Sequence, residues 1–166
     1  MTWSLLLATH AFAASVALPL GAWQLFRPTK GDHQHRLLGR TWVVLMLYVS
    51  FTSFWIKELN PGEFSYIHIL SVVTIVTVSL GVLAAVRGDI KSHRGNMTGS
   101  WIGLLGAFIG AVAVPVRHIP TFVVTEPAQA FAAFVAVLIT TAVIVTAAKA
   151  LSGALADAAP QRRMAS

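Results

Sequence analysis

The chain alternates between long apolar runs and short polar segments, and this pattern predicts a bundle of membrane-spanning helices. A helix needs about 20 mostly apolar residues to cross a bilayer. Five runs of roughly that length are separated by segments that carry charges, Pro or Gly. The predicted spans are Trp3–Phe26, Leu37–Ile56, Phe64–Val86, Ser100–Val116 and Ala128–Leu151. The fold class is therefore all-α, an integral membrane helical bundle with five transmembrane helices.

The basic residues predict how these helices are oriented. Of the twelve Lys and Arg residues, four lie in segment 27–40, three in segment 87–94 and three from position 149 onward. With five spans, all three segments fall on one side of the membrane, which the positive-inside rule makes cytoplasmic. The N-terminus is then outside and the C-terminus inside. Topology accounts for the formal charge of +6, and we expect no nucleic-acid partner because no soluble domain offers a basic face.

Other features of the sequence narrow the chemistry. No Lys or Arg precedes the stretch Ala11-Phe12-Ala13, so residues 1–26 are expected to form a retained span rather than a cleaved signal peptide. The chain has no cysteine, which excludes disulfides, thiolate metal ligands and thiol nucleophiles. No span carries a charge near its centre, which argues against a permease. At the last span, Thr125 is the expected helix cap and Pro127 is expected in the first turn.

A weak internal repeat relates the two halves of the chain. His10 and His35 are 25 residues apart, and so are His68 and His93. A shift of 58 residues superposes the two pairs, together with the arginine that follows each second histidine. Each repeat is expected to form a helical hairpin, and the two hairpins to form a four-helix core with approximate two-fold symmetry.

The repeat also sets the predicted domain organisation, a single transmembrane domain over residues 1–151 followed by a short cytoplasmic tail over 152–166. Within the domain, repeat one covers about 3–56, repeat two about 64–116, and a fifth helix about 128–151. The fifth helix stands outside the repeat.

The repeat places the four histidines in two pairs at opposite membrane faces. Counting along the helices puts His10 and His68 near the outer ends of their spans, and His35 and His93 beyond the inner ends. Neutral imidazoles from two helices of a bundle can hold the iron of a b-type haem between them. The expected haem-iron ligands are therefore His10 with His68 outside and His35 with His93 inside, with haem b as the cofactor and as many as two haems per chain.

The arginines near these pairs extend the predicted site. Guanidinium groups suit the carboxylates of haem propionates. The predicted cofactor-binding arginines are Arg36, Arg40 and Arg94 at the inner pair and Arg117 at the outer pair. The predicted function is electron transfer across the membrane by a b-type cytochrome-like protein, with no catalytic residue assigned. Its partners are the lipid bilayer and, as candidates, a redox protein, a quinone or a second copy of the chain.

The same residues also have a plainer interpretation, which leads to a different function. His, Arg, Lys and Trp at helix ends often do no more than anchor a helix at the headgroup level. Trp23, Trp42, Trp55 and Trp101 lie near span ends and suit that role. The only close pair of potential zinc ligands, His33 and His35, falls on a predicted loop. The alternative function is a non-catalytic membrane assembly or scaffold module whose His-Arg motifs bind lipid or a partner protein.

Several of these motifs resemble a family of small bacterial integral membrane proteins, the domain of unknown function number 2306. The resemblance covers roughly residues 5–120. It rests on His10, Lys30-Gly31, His35-Arg36-x-x-Gly39-Arg40, Phe64-Ser65-x-Ile67-His68, Arg87-Gly88-Asp89, His93-Arg94, Met97 and Pro115-x-Arg117. The family implies a multi-pass protein of the bacterial inner membrane and no agreed activity. The layout of the histidines is similar to that of di-haem transmembrane b-type cytochromes, an analogy at the level of fold.

Overall fold

The structure, a computed structural model, is all-α in the residues it describes, which are 3–56, 66–115 and 117–164. Six helices are present in these ranges: α1 (Leu5–Phe26), α2 (His33–Ser53), α3 (Tyr66–Val86), α4 (Ile90–Ala113), α5 (His118–Thr125) and α6 (Pro127–Met164). α1 packs along α2 and α3 along α4, while α6 lies against α1 and α2. The polar stretch over 57–63, the start of the third predicted span at Phe64, and Val116 lie outside the described residues.

Two similar Gly-Asp turns start α2 and α4. Gly31 and Gly88 both have a φ of +77°, a left-handed conformation that favours glycine. The following aspartates are N-caps: Asp32 accepts from the His35 N–H and Asp89 from the Ser92 N–H. α2 and α4 therefore begin well before the apolar spans predicted for them. The prediction that His33 and His35 lie on a loop is wrong, because this cap places both in the first turn of α2.

The connection between α1 and α2 is fixed by its charged residues. Both Nη atoms of Arg27 donate to the Asp32 carboxylate, at 2.8 and 2.7 Å. Lys30 Nζ donates to the carbonyls of Gln24, Leu25 and Arg27, which caps the C-terminal end of α1. Arg27, Lys30 and Asp32 therefore stabilise the turn between α1 and α2. The two basic residues also belong to the charges that predict the membrane orientation.

Like α1, which contacts α2, α4 and α6, helix α2 contacts three others: α1, α3 and α6. Its residues Leu38, Trp42 and Met46 are fully or nearly fully buried. The core that surrounds them draws on every long helix: Ala17, Leu20, Leu38, Trp42, Met46, Val78, Leu104 and Ala148. α1 and α2 together therefore connect the first half of the chain to α3, α4 and α6.

Two tryptophans close the bundle around one glycine. Trp42 Nε1 donates to the Ala17 carbonyl and Trp101 Nε1 to the Leu18 carbonyl, both at 2.9 Å. Both indoles pack where a Cβ on Gly21 would stand. The interfacial role predicted for Trp42 and Trp101 is therefore wrong, since Trp42 is only 4% exposed and both indoles bind α1. Position near a span end did not distinguish an anchor from a core residue.

Hydroxyl pairs join the central helices. Ser53 Oγ and Ser71 Oγ are 2.6 Å apart and link α2 to α3. Thr77 Oγ1 and Ser100 Oγ are 2.8 Å apart and link α3 to α4. Hydrogen bonds of this kind hold membrane helices together where lipid and apolar side chains are equally hydrophobic.

Four of the described helices are long and apolar enough to cross a membrane: Leu5–Phe26, Ile67–Val86, Ile90–Ala113 and Pro127–Ala158. α2 is not among them. Arg36 and Arg40 lie in its first two turns, and its last turns carry the buried polar residues Ser50, Thr52 and Ser53. Its outward face is apolar further along, where Val44 and Phe51 are exposed.

The C-terminal part departs from the predicted pattern in two ways. The short helix α5 lies between α4 and α6. It was not predicted, because its eight residues are too few to form one of the long apolar runs. Pro127 is the first residue of α6, as predicted, but Thr125 ends α5 instead of capping α6. α6 continues beyond the predicted end at Leu151 as far as Met164.

Substituting Gly21→Ala tests the packing at the centre. The added methyl group would overlap the Trp42 and Trp101 rings, and overpacking of this kind costs about 1–3 kcal/mol. We expect a lower thermal unfolding midpoint in detergent, measured by tryptophan fluorescence. Gly99→Ala is the matched control, because no heavy atom lies within 4 Å of its Cβ position. Equal midpoints for the two variants would contradict the proposed packing.

The Arg27–Asp32 pair predicts a pH dependence. The hydrogen bonds from Arg27 lower the pKa of the Asp32 carboxyl. A depressed folded-state pKa stabilises the fold above the unfolded value of about 3.9, and this contribution is lost as pH falls through the folded value. Because the pair is partly exposed, we expect a few tenths to about 1 kcal/mol.

Asp32→Asn keeps a side chain that can cap α2 and removes the titrating charge. Its unfolding midpoint should lie below that of the unmodified chain at pH 6, and the difference should shrink towards pH 3. Asp32→Ala should cost about 1 kcal/mol more at pH 6 through the lost cap. A difference that grows on acidification would contradict the sign of the effect.

Candidate functional site

His35 of α2 and His93 of α4 meet at one end of the bundle. Their ring centroids are 6.3 Å apart and the ring planes are inclined at 80°. This end, called here the basic end, carries the α1–α2 and α3–α4 connections. The two histidines come from the two halves of the predicted repeat, and both lie in the first turn of a helix that begins with a Gly-Asp turn.

Both histidines are held by neighbouring helices. His93 Nδ1 lies 2.9 Å from the Gly81 carbonyl of α3. A carbonyl only accepts, so Nδ1 carries the proton and Nε2 of the neutral ring has a lone pair. Gln24 Nε2 of α1 donates to the His35 carbonyl at 2.8 Å, and the His35 N–H is fixed by Asp32. The pair is thus tied to α1 and α3 as well as to its own helices.

Two polar atoms at this pair are buried and have no hydrogen-bond partner within the described parts of the chain. They are His35 Nδ1 and Gln24 Oε1. Buried polar atoms normally have a partner, because leaving one unsatisfied costs about 1–3 kcal/mol. An atom in this state is where a bound group or ordered water is expected.

Positive charge surrounds the pair. Burial lowers the pKa of Lys30, and the nearby Arg27 and Arg94 guanidinium groups lower it further. Arg36 Nη1 donates to the Gly31 carbonyl, and Arg36, Arg40 and Arg94 are all exposed. Of the predicted propionate-binding residues, these three therefore lie on the basic end with their side chains accessible.

The other predicted pair lies at the opposite end of the bundle, at the C-terminal end of α2. His10 Nδ1 is 2.8 Å from Thr52 Oγ1. Thr52 donates its own proton to the carbonyls of Tyr48 and Val49, so its oxygen accepts from His10. His68 is only 4% exposed, and its ring centroid lies 6.0 Å from that of Phe54. His10 therefore contacts α2, and His68 contacts Phe54, the residue that follows α2.

The remaining predicted residues are on the edges of the bundle. Arg117 is the N-terminal cap residue of α5 and makes no side-chain capping bond. His118 follows it and packs against Trp3, with ring centroids 5.4 Å apart. His33 is exposed in the first turn of α2.

The number of potential metal-binding side chains near His35 and His93 limits the chemistry that this site can support. Within 3–56, 66–115 and 117–164, no three His, Asp or Glu side chains come close enough to hold a metal ion together. Two histidines can complete the coordination of an iron that already has four equatorial ligands, as in haem. Two cavities of about 400 and 410 Å³ lie elsewhere, one beside Trp23 and Lys149 and one beside Trp3 and Glu126.

Sequence reasoning missed the residues that position the histidines. Gln24 and Thr52 are ordinary polar residues within apolar spans, and Gly81 contributes only its backbone carbonyl. The position of Gln24 and Thr52 within apolar spans did indicate that they face the bundle interior, as polar residues in such spans usually do. Nothing in the sequence indicated which histidine each would bind.

A family model described as "Predicted membrane protein (DUF2306)" matches residues 7–147. The match reaches into α6, further than the resemblance over residues 5–120. No curated protein and no solved structure matches the chain. With most of its length matched, and with several helices apolar enough to span a bilayer, the chain belongs to this family of predicted membrane proteins of unknown function.

Proposed function

We propose that the protein is a b-type cytochrome-like electron-transfer protein of the membrane. One haem is held by His35 and His93. The observation that supports this most is the 6.3 Å separation of the two rings. Bonds from a metal ion to imidazole nitrogen are about 2.0–2.1 Å long, so two imidazoles on opposite sides of one ion have ring centroids roughly 6 Å apart. The observed separation is compatible with one metal ion that both imidazoles would hold.

The hydrogen bond of His93 supports the same assignment. Metal-binding histidines commonly donate their second ring N–H to a carbonyl or carboxylate, which fixes the tautomer and leaves the other nitrogen as the ligand. The Gly81 carbonyl does this for His93. The unsatisfied Nδ1 of His35 leaves that ring without a competing protein partner among the described residues.

The surroundings of the pair also suit a haem. A macrocycle needs space beside its axial ligands and cations for its propionates. Gly95 follows the pair on α4, is exposed and has no heavy atom within 4 Å of its Cβ position. Arg36, Arg40 and Arg94 are exposed at the same end and are the propionate ligands in this proposal. When bound, the haem supplies one-electron chemistry, and the chain supplies its ligands and orientation.

The second haem of the proposal is held by His10 and His68 with Arg117. In the structure, His10 contacts Thr52 of α2, and His68 contacts Phe54, the residue that follows α2. Two points favour it. His10 donates from Nδ1, which leaves Nε2 for a metal, and both histidines lie at the opposite end of the bundle from His35 and His93. Electrons would then move between the two ends, exchanged with a redox protein or a quinone.

The proposal includes a topology. α2 would be the fifth span, with the apolar residues Val44 and Phe51 exposed on its outward face. The N-terminus would then be outside, and the basic end would face the cytoplasm of a bacterial cell. A second copy of the chain remains a candidate partner.

A competing function follows from the exposed arginines of the His-Arg motifs. Arg36 and Arg94 follow the two histidines, and neither forms an ion pair within the described residues. This favours the alternative of a non-catalytic assembly or scaffold module whose His-Arg motifs bind lipid or a partner protein.

Visible spectra of the purified protein separate the two functions. We expect a Soret band with sharp α and β bands after dithionite reduction, and one or two haems per chain in a pyridine haemochrome assay. His35→Ala and His93→Ala should each remove the signal of the inner haem and leave any outer signal in place. His33→Ala, in the same helical turn and exposed, should change nothing.

Colourless protein after expression with added haem precursor would contradict the cytochrome proposal and favour the scaffold module. Equal loss of signal in the His33→Ala variant would show that the assay reports folding rather than ligation.

Cysteine labelling tests the topology, and the absence of native cysteine makes every introduced thiol unique. In intact spheroplasts, we expect a membrane-impermeant maleimide to label Thr125→Cys at the end of α5 and to leave Thr29→Cys unlabelled until the cells are lysed. Both positions are exposed. The reverse pattern would invert the orientation, and labelling of both before lysis would contradict the five-span arrangement.

A further inference from the structure

A groove at the basic end is lined by apolar side chains on one part and by polar side chains on another. It has a volume of about 400 Å³ and lies between the α1–α2 connection and α6. Trp23 and Val145 form an apolar part, while Thr29, Gln34 and Lys149 contribute polar groups. It is separate from the His35–His93 pair, neither of which lines it.

Several hydrogen-bond donors in the groove are available. Lys149 Nζ and the Thr29 hydroxyl have no partner among the described residues, and both residues are exposed. Gln34 Oε1 accepts from Arg27, which leaves the amide N–H groups of Gln34 for another acceptor. Arg27 itself is already paired with Asp32. The available groups are therefore donors that surround one uncompensated positive charge.

This arrangement matches the headgroup of an anionic lipid. A phosphate offers several acceptor oxygens and a negative charge to Lys149, Thr29 and Gln34. The groove lies beside the C-terminal end of α1 at Phe26. The predicted first and fifth spans end near it, which is where lipid headgroups are expected. Trp23, 49% exposed, is the kind of residue that lies against the glycerol and upper acyl region.

The charge balance at the basic end supports the same occupant. Arg27–Asp32 is the one ion pair in the described part of the chain. Within the described residues, the remaining basic side chains there form no ion pair. In the proposed orientation, a cytoplasmic leaflet rich in anionic lipid would attract them.

We propose that this groove binds one anionic phospholipid, with its phosphate at Lys149, Thr29 and Gln34 and its glycerol and acyl chains along Trp23 and Val145. The site uses no histidine and does not depend on haem. Because the groove joins α6 to the α1–α2 connection, the bound lipid holds the last helix against the first hairpin.

Native mass spectrometry of the detergent-solubilised chain tests this directly. Phosphatidylglycerol and phosphatidylcholine with identical acyl chains are added in turn, and bound lipid is counted. We expect one phosphatidylglycerol to be retained in preference to phosphatidylcholine. Lys149→Gln should weaken this binding about fivefold, the effect typical of one basic residue near a membrane surface.

Lys91→Gln is the matched control, because Lys91 is an exposed lysine on α4 and does not line the groove. It should leave the affinity unchanged. Thr29→Val should weaken binding without altering charge. Equal loss from the Lys91 variant would show that only diffuse charge matters, and equal retention of phosphatidylcholine would remove the requirement for an anion. Displacement by glycerol phosphate at the same concentration would assign the site to a soluble phosphate. Each of these three results would overturn the proposal.

Discussion

The approach of two indole rings to α1 at Gly21 is the constraint on which the bundle depends. Within a bilayer, helices gain little from the hydrophobic effect, because lipid is as apolar as the side chains it replaces. Close packing and interhelical hydrogen bonds must hold them instead. Gly21 gives space for both rings, and the Trp42 and Trp101 N–H groups bind successive carbonyls of α1. One helix from each half of the chain is thereby fixed to α1.

Fixing α2 and α4 on α1 also determines where the histidines can lie. His35 is seven residues before Trp42, and His93 is eight before Trp101, so each histidine is about two turns from an anchored tryptophan. The Gly-Asp turns start both helices just ahead of these histidines. The approach of His35 to His93 is therefore a consequence of two anchors and two caps.

The sequence predicted the helical class, the apolar runs and the meeting of His35 with His93, because each depends on periodicity or on a repeat that survives in the residues. It failed where a contact between distant residues decides the outcome. Trp42 has the composition and position of an interfacial anchor, and only the presence of Gly21 on a neighbouring helix makes it a core residue. Thr52 shows the same limit, since its contact with His10 crosses 42 positions. The early start of α2 is different: Gly31 and Asp32 form a local signal for a helix start that the apolar pattern concealed.

The positive charges at the basic end illustrate why counting residues does not establish what they do. Lys30 binds three carbonyls at the end of α1, and Arg27 is paired with Asp32, so both maintain the turn that leads into α2. Arg36 also donates a hydrogen bond to a backbone carbonyl of that turn. Lys149 is exposed and has no partner among the described residues. All four contribute equally to a positive-inside count, yet three of them shape the protein and one is available for a ligand. The hydrogen bonds that each side chain makes, rather than the number of basic residues, distinguish those that stabilise the turn before α2 from the one that is open to a ligand in the groove.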